Sequence, residues 1–242
     1  MKIVLQKLIA SAGVCSRHQA EKYIASGRVK LNGKTAKLGD RADENDAVLV
    51  DKKPLRFTKT HTYIKLYKPA GVVSTTRSFP SERNVLDFVK LHKPLAIVGR
   101  LDKESEGLVI LTDDGDLAYK LTHPKFKVTK VYVVTLTHDL GANREEIKQK
   151  VKEVSESFAR GVEIGLGDGR VKVERFKHLR GRTFEIVLAE GKKRQIRRMF
   201  RAVGCHVGML KRVRIANVTV AGVSRGRWKY LSKEEIHKLK AL

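Results

Sequence analysis

The stretch Gly99-Arg100-Leu101-Asp102-Lys103-Glu104-Ser105-Glu106-Gly107-Leu108-Val109-Ile110-Leu111-Thr112-Asp113-Asp114-Gly115 decides how the chain reads. Residues 95–98 and 108–111 are two short apolar runs, separated by a polar turn that closes on Gly107 and followed by an Asp-Gly turn. Runs of this length are strands, far shorter than the roughly 18 apolar residues of a membrane-spanning helix. Working outward, residues 63–67, 131–136, 184–188 and 213–220 are further β-branched or alternating runs bounded by Gly, Pro or Asp. Helical periodicity is confined to residues 85–91, 117–121, 145–158 and 195–203, with a C-terminal turn that opens at Ser232 and carries a capping Glu235. Strands outnumber helices and no βαβ repeat emerges, so residues 60–242 read as an α+β domain with a mainly antiparallel, mixed sheet.

Asp102 stands between Arg100 and Lys103 at the end of a buried strand. Positive neighbours keep a carboxylate ionised even where a pocket removes its water, and such a carboxylate is a usable nucleophile or base. The spacing also admits a blander reading, an aspartate that caps backbone at the head of a turn.

The 242 residues hold 51 Lys plus Arg against 26 Asp plus Glu, a formal charge of +25. A hydrophobic share of 41% is enough for a packed core, and charge of this size seeks a polyanion, nucleic acid before an anionic membrane. Two deposits carry most of it. Residues 190–230 contain 12 basic residues and one acidic. There Ile196, Met199, Phe200 and Val203 share one helix face, while Arg194, Arg198 and Arg201 project from the other and look free to meet phosphates; Arg197 falls at the border, best placed to dip inward. Residues 1–59 contain 13 basic and six acidic residues. The two deposits are expected to form one continuous track leading to Asp102.

The first of these segments has its own organisation. Leu5, Leu8, Ile9 and Ala12 form a helical stripe that Gly13 ends, and Ser16 with Gln19 reads as a capping box opening a second helix, with Ala20, Tyr23 and Ile24 inward. A hairpin about Asn32-Gly33 follows. Residues 56–62 read as a linker, so the chain divides into 1–59 and 60–242. The opening apolar residues are interrupted by Gln6 and Lys7, which argues against an export signal and for the cytoplasm. Cys15 and Cys205 lack a C-x-x-C context and read as reduced structural thiols; neither a metal site nor a phosphate-cradling glycine loop is expected.

The run from Leu5 to Gly33, with S-R-x-x-A-E followed by G-x-V-x-x-N-G, resembles an S4-type RNA-binding domain. The G-R-L-D-K-E-S-E-G-L-V-I-L-T-D-D-G element together with E-G-K-K-R-Q-I-R-R-M resembles the RsuA family of pseudouridine synthases, as do Tyr67-Lys68-Pro69-Ala70-Gly71-Val72 and the Lys130-Val131-Tyr132 strand start. The resemblance runs through nearly the whole chain, and Asp113-Asp114-Gly115, where the family often has Asn before the second Asp, is a minor variation.

It implies that Asp102 is the catalytic aspartate, that Arg197 pairs with it, and that Tyr132 stacks on the uracil and helps the proton steps. Arg100 would enter the space left by the flipped base, and Leu188 would wall the base pocket or simply pack the core. Lys68, Arg194, Arg198, Arg17 and Arg28 join the expected substrate-binding groups, with His18 also facing RNA. An isomerisation needs no cofactor, so none is expected. The expected partner is ribosomal RNA or a pre-ribosomal particle, the large subunit before the small, met by a monomer. The competing reading is a non-enzymatic S4-type RNA-binding or ribosome-assembly factor, which has no need of Asp102 in a G-R-L-D turn.

Overall fold

The computed structural model describes residues 1–242 apart from 58, 59, 78, 79 and 92. β1 (Ile3–Val4) leads into α1 (Leu5–Ser11) and α2 (Arg17–Ala25), followed by β2 (Val29–Leu31), β3 (Lys34–Thr35), β4 (Arg41–Ala42), β5 (Val48–Val50) and β6 (Lys53–Pro54). The order helix, helix, hairpin is as the sequence indicates. Ser16 accepts the Gln19 N–H at 3.2 Å, but the Gln19 side chain makes no return bond, so only half of the expected capping box forms. Asn32 and Gly33 have φ of 48° and 82°, both left-handed as a two-residue hairpin turn of this twist requires. Leu5, Leu8, Ile9, Ala20, Ile24, Val29, Val48 and Val50 bury themselves in one apolar cluster. The linker read over residues 56–62 includes 58 and 59, which lie outside the described residues.

The remainder runs β7 (Tyr63–Lys68), β8 (Ala96–Val98), β9 (Glu106–Thr112), α3 (Gly115–Thr122), β10 (Lys130–Leu136), α4 (Arg144–Arg160), β11 (Val162–Glu163), β12 (Arg170–Val171), β13 (Arg175–Arg180), β14 (Thr183–Leu188), α5 (Gln195–Ala202), β15 (Val207–Ile215), β16 (Val218–Thr219), β17 (Trp228–Tyr230) and α6 (Lys233–Lys240). Seven strands lie in the order β13-β14-β10-β15-β9-β7-β17, with β8 added to β9 and β16 to β15. All pairings in this sheet are antiparallel except β15 with β9.

The sheet separates two apolar clusters. On one side Val109, Leu111, Tyr132, Val134, Ile186 and Leu188 pack against Val154 and Phe158 of α4 and Ile196, Met199 and Phe200 of α5. On the other, Leu108, Ile110 and Ile215 meet Leu117 and Leu121 of α3 and Leu239 of α6. Because both faces are covered, every residue of β9 is buried, which is why its centre, residues 108–111, reads as an unbroken apolar run rather than an alternating one.

Two expected elements differ. Residues 213–220 are not one strand: β15 turns at Ala216, with φ 48°, into β16. Residues 85–91 hold only a short 3-10 turn, Val85–Phe88, closed by reciprocal bonds between Asn84 and Asp87.

Candidate active site

One edge of β9 is paired along its length by β7, while the other is shared: β8 takes Ile110–Thr112 and β15 takes Glu106 and Gly107. The 99–105 loop leaves the sheet at this fork and forms one wall of a cleft of about 820 Å³. Asp102, Tyr132, Leu188, Lys130, Arg100, Arg194 and Arg212 all line that cleft. The sequence-selected residues Asp102, Tyr132, Leu188, Arg100 and Arg194 are thus brought together from a loop, two adjacent strands and the cap of α5.

Arg212, which no sequence pattern flagged as a site residue, clamps the loop. It is almost wholly buried, and its guanidinium donates to Leu108 O at 2.8 Å and to Gly99 O, with Arg100 O at 3.5 Å. Gly99 has φ +69°, and a Cβ there would stand 3.3 Å from Arg212 Nη1. Gly107 has φ +109° and faces the Arg212 backbone so closely that a Cβ would lie 2.2 Å from its carbonyl oxygen. Its neighbours on β15 give no cue, since Lys211 is half-buried and Arg214 exposed and both are also basic.

Lys68 corrects an expectation. Instead of meeting substrate it is completely buried, outside the cleft lining, with Nζ donating to Pro69 O at 2.9 Å, Val72 O at 2.7 Å and Lys103 O at 3.4 Å. It ties the 69–72 turn to the loop bearing Asp102. Burial, and then the Arg212 charge, lower its pKa to about 8, against the opposing pull of Asp102 and Glu106. Lys130 is also brought down to about 8, by burial and then Arg212.

Both lysines bind fewer protons folded than unfolded between pH 8 and their ordinary value near 10.5, so their contribution to stability rises with pH across that window. The urea midpoint should carry this upward component, with a smaller one in Lys130→Met; an identical pH dependence in the two proteins would contradict it.

The arginines of α5 divide. Arg197 dips inward as its border position indicates, and Nη1 donates to Val207 O at 2.9 Å. Its Nε and Nη2 are buried without a partner, and no ion pair within 4.0 Å joins it to Asp102, so the expected pair is absent from this state. The two charges nonetheless act on each other: burial lowers the Arg197 pKa, and Glu104 and Asp102 oppose that shift.

Arg194 holds both oxygens of Glu104 at 2.8–2.9 Å. Burial pushes the Glu104 carboxyl up, but this bond and the nearby arginines outweigh it and leave the pKa below the usual value. Lys103 pairs with Glu82 at 2.8 Å, so it does not neutralise Asp102 through an ion pair, and exposed Arg100 makes none either.

Arg198 is a second correction. Its side chain is only 13% exposed and is spent on Asp168, Ile164 O and Gly165 O, where it pins the glycine-rich 164–169 loop to α5. A helical-wheel reading placed it outward because it could not foresee this loop folding back. Arg198→Ala should cost about 2 kcal/mol in urea unfolding, as loss of charged hydrogen bonds does, and leave the salt slope of RNA binding unchanged. A slope lowered by about one unit with stability intact would restore the phosphate-contact reading.

In the first segment Arg17 is exposed, without an ion pair among the described residues, while His18 lies 3.3 Å from Glu21. Arg28 pairs with Asp51 and stacks over the Tyr23 ring at 4.1 Å while its side chain stays 47% exposed. Cys15 and Cys205 are both free. Among the described residues no group of three His, Cys, Asp or Glu gathers as metal ligands, and no helix is long and apolar enough to cross a membrane.

Comparison with known proteins matches residues 62–202 to the RNA pseudouridylate synthase family and residues 5–54 to the S4 domain. An uncharacterized RNA pseudouridine synthase of Aquifex aeolicus (strain VF5) is 37% identical over 98% of this chain and 96% of the relative. Dual-specificity RNA pseudouridine synthase RluF of Escherichia coli (strain K12) is 37% identical over 96% of this chain and 76% of its own length. Ribosomal large subunit pseudouridine synthase B of Bacillus subtilis (strain 168) is 35% identical, covering 98% and 96%. A crystal structure described as pseudouridylate synthase superposes with a TM-score of 0.68 at 29% identity, covering 98% of this chain and 99% of the other.

The fold and the cleft are those of an RNA-modifying isomerase. The chain belongs to the RNA pseudouridylate synthase family and carries an S4 domain at its N-terminal end.

Proposed function

We propose that the chain converts a uridine of ribosomal RNA, in the large subunit before the small, to pseudouridine, with Asp102 as the catalytic group. The observation that carries this is the half-buried Asp102 carboxylate in a cleft it shares with Tyr132 and Leu188, with Arg197, two of whose donors are unpartnered, close enough to feel its charge. A uridine in folded RNA hides its glycosidic bond, so it must be flipped out at a cost of a few kcal/mol, offset by stacking and by phosphate contacts.

Within the cleft the C1′–N1 bond breaks, the base turns, a C1′–C5 bond forms, and one proton leaves C5 while N1 gains one. No redox change or group donor enters, and the reading includes no cofactor. Tyr132 would stack on the base, Leu188 would wall it, Arg100 would fill the vacated space, and Arg194 and Arg17 would grip flanking phosphates. Residues 1–59 would deliver affinity and residues 60–242 chemistry, as a monomer in the cytoplasm. The relatives named for large-subunit and dual-specificity activity support an RNA target of this class.

Mapping pseudouridines in ribosomal RNA from cells with and without the gene tests the target: one missing site is expected, and an unchanged map would sink it. Arg197→Ala should lower turnover by on the order of 100-fold with little loss of affinity, since it removes a buried donor rather than a phosphate contact. Equal losses in affinity and turnover would place Arg197 on the RNA surface instead.

A further inference from the structure

Lys130 begins β10, and in the sheet register it stands opposite Leu188 while Tyr132, two residues on, stands opposite Arg212. The β10–β15 register shifts between Val131 and Tyr132, with Lys130 opposite Ile215, so the four side chains gather around a bulge on three neighbouring strands. All four line the cleft. Lys130 is 8% exposed and Arg212 1%. Neither has a carboxylate within ion-pair distance among the described residues.

Arg212 spends its donors on backbone carbonyls, whereas the Lys130 ammonium has three protons and one acceptor, Val128 O at 3.0 Å. Two buried cations left without a counter-ion are expensive in a stable fold, and such a cost points to an anion that occupies the cleft during the reaction.

The isomerisation supplies one. When C1′–N1 breaks, the electron pair leaves with the uracil, and the ring holds the charge on N1, O2 and O4 until C5 closes on C1′. We infer that Lys130 is a further catalytic residue, which with the Arg212 charge beside it stabilises the detached uracil anion on the floor next to Tyr132. This rests on the family's reaction and on the cleft being its site; the ribosomal target is a separate matter. The proton lost from C5 and the proton gained by N1 balance whichever groups relay them, so Lys130 need supply only charge and hydrogen bonds. Preorganised donors of this kind act where charge develops, and removing one commonly slows a reaction by 10²–10³-fold, to the order of magnitude.

The test uses the full chain and transcripts of small- and large-subunit ribosomal RNA, made with uridine or with 5-fluorouridine. Fluorine stabilises the uracil anion without the enzyme's help. Under single turnover, Lys130→Met should lower uridine conversion by about 100-fold, but the cleavage of C1′–N1 in the fluorinated RNA by less than about tenfold. Lys130→Arg, which keeps the charge, should retain more activity than Lys130→Met on the uridine transcript. Circular dichroism and a filter-binding isotherm on the same preparations identify any loss that comes from folding or RNA affinity. Equal deficits on the two RNAs, or Lys130→Arg as damaged as Lys130→Met while both are folded, would overturn the inference and leave the isomerase reading standing. A wild-type chain that converts no uridine in any transcript would overturn both.

Discussion

Asp102→Asn should lower pseudouridine formation by on the order of 10⁴-fold or more while leaving RNA affinity within about twofold of the wild type. Asparagine keeps the shape of the side chain and removes the charge, so it tests the carboxylate and not the packing. The 99–105 loop does not depend on that side chain for its course: Asp102 lends its backbone O to Ser105 N–H at 3.1 Å, and the loop is otherwise held by Arg212 on Gly99 and Arg100, Ser74 on both backbone groups of Leu101, and the Glu104–Arg194 and Lys103–Glu82 pairs. The protein should therefore fold normally. The lost charge is also one that Lys68 and Arg197 sense, so some loosening of the Arg197 guanidinium is expected, too little to explain a loss of four orders of magnitude. Product formed at the wild-type rate would take the catalytic role away from Asp102 and give it to another group of the cleft.

Gly107→Ala should destabilise the protein by about 4 kcal/mol or more, a large part of the 5–15 kcal/mol of a typical domain. Two effects add. The φ of +109° is one that alanine rarely adopts, and the new methyl would stand 2.2 Å from the carbonyl oxygen of Arg212, a backbone atom that cannot swing away. β9 and β15 would have to part at their parallel contact, and the fork that releases the catalytic loop would widen. Gly165→Ala is the control: its φ is +70°, but nothing lies within 4 Å of the added methyl, so only the backbone strain of roughly 1 kcal/mol remains. A melting temperature lowered equally by the two substitutions would show that the close approach does not matter.

Residues 5–33 were legible because their signals are local. Helix stripes, the Ser16 cap and the Asn32-Gly33 turn act within a few residues of one another, and all appear. The centre of β9 is legible for the opposite reason: burial on both faces leaves no polar position within residues 108–111 to confuse the run. Asp102, Tyr132 and Leu188 reach one cleft from positions that the motif resemblance selected.

What escaped depends on distant pairing. β13, Arg175-Phe176-Lys177-His178-Leu179-Arg180, is a basic edge strand whose charged side chains keep other chains from adding to the sheet, so it lacks apolar alternation. Arg198 and Arg212 read as surface charge, or not as site residues, because the carbonyls that hold them are remote in sequence, Ile164 and Gly165 for one and Leu108 and Gly99 for the other; Lys68 is held mainly by its own turn, at Pro69 and Val72, with Lys103 the distant partner. Arg197, Arg198 and Arg212 of the basic segment 190–230 are therefore turned to internal bonds rather than to the surface.

The Arg212 clamp also fixes when the site can exist. Its guanidinium closes a chain separation of 112 residues to Arg100 O and 113 to Gly99 O. Contacts of such long range carry a loop-closure entropy that short-range helices and hairpins do not, and they form late. A ribosome releasing this chain from its N-terminus would complete the S4 domain while Arg212 was still unmade. The nascent protein would thus be able to hold RNA before it could modify it, and the order of synthesis alone would separate recognition from chemistry in time.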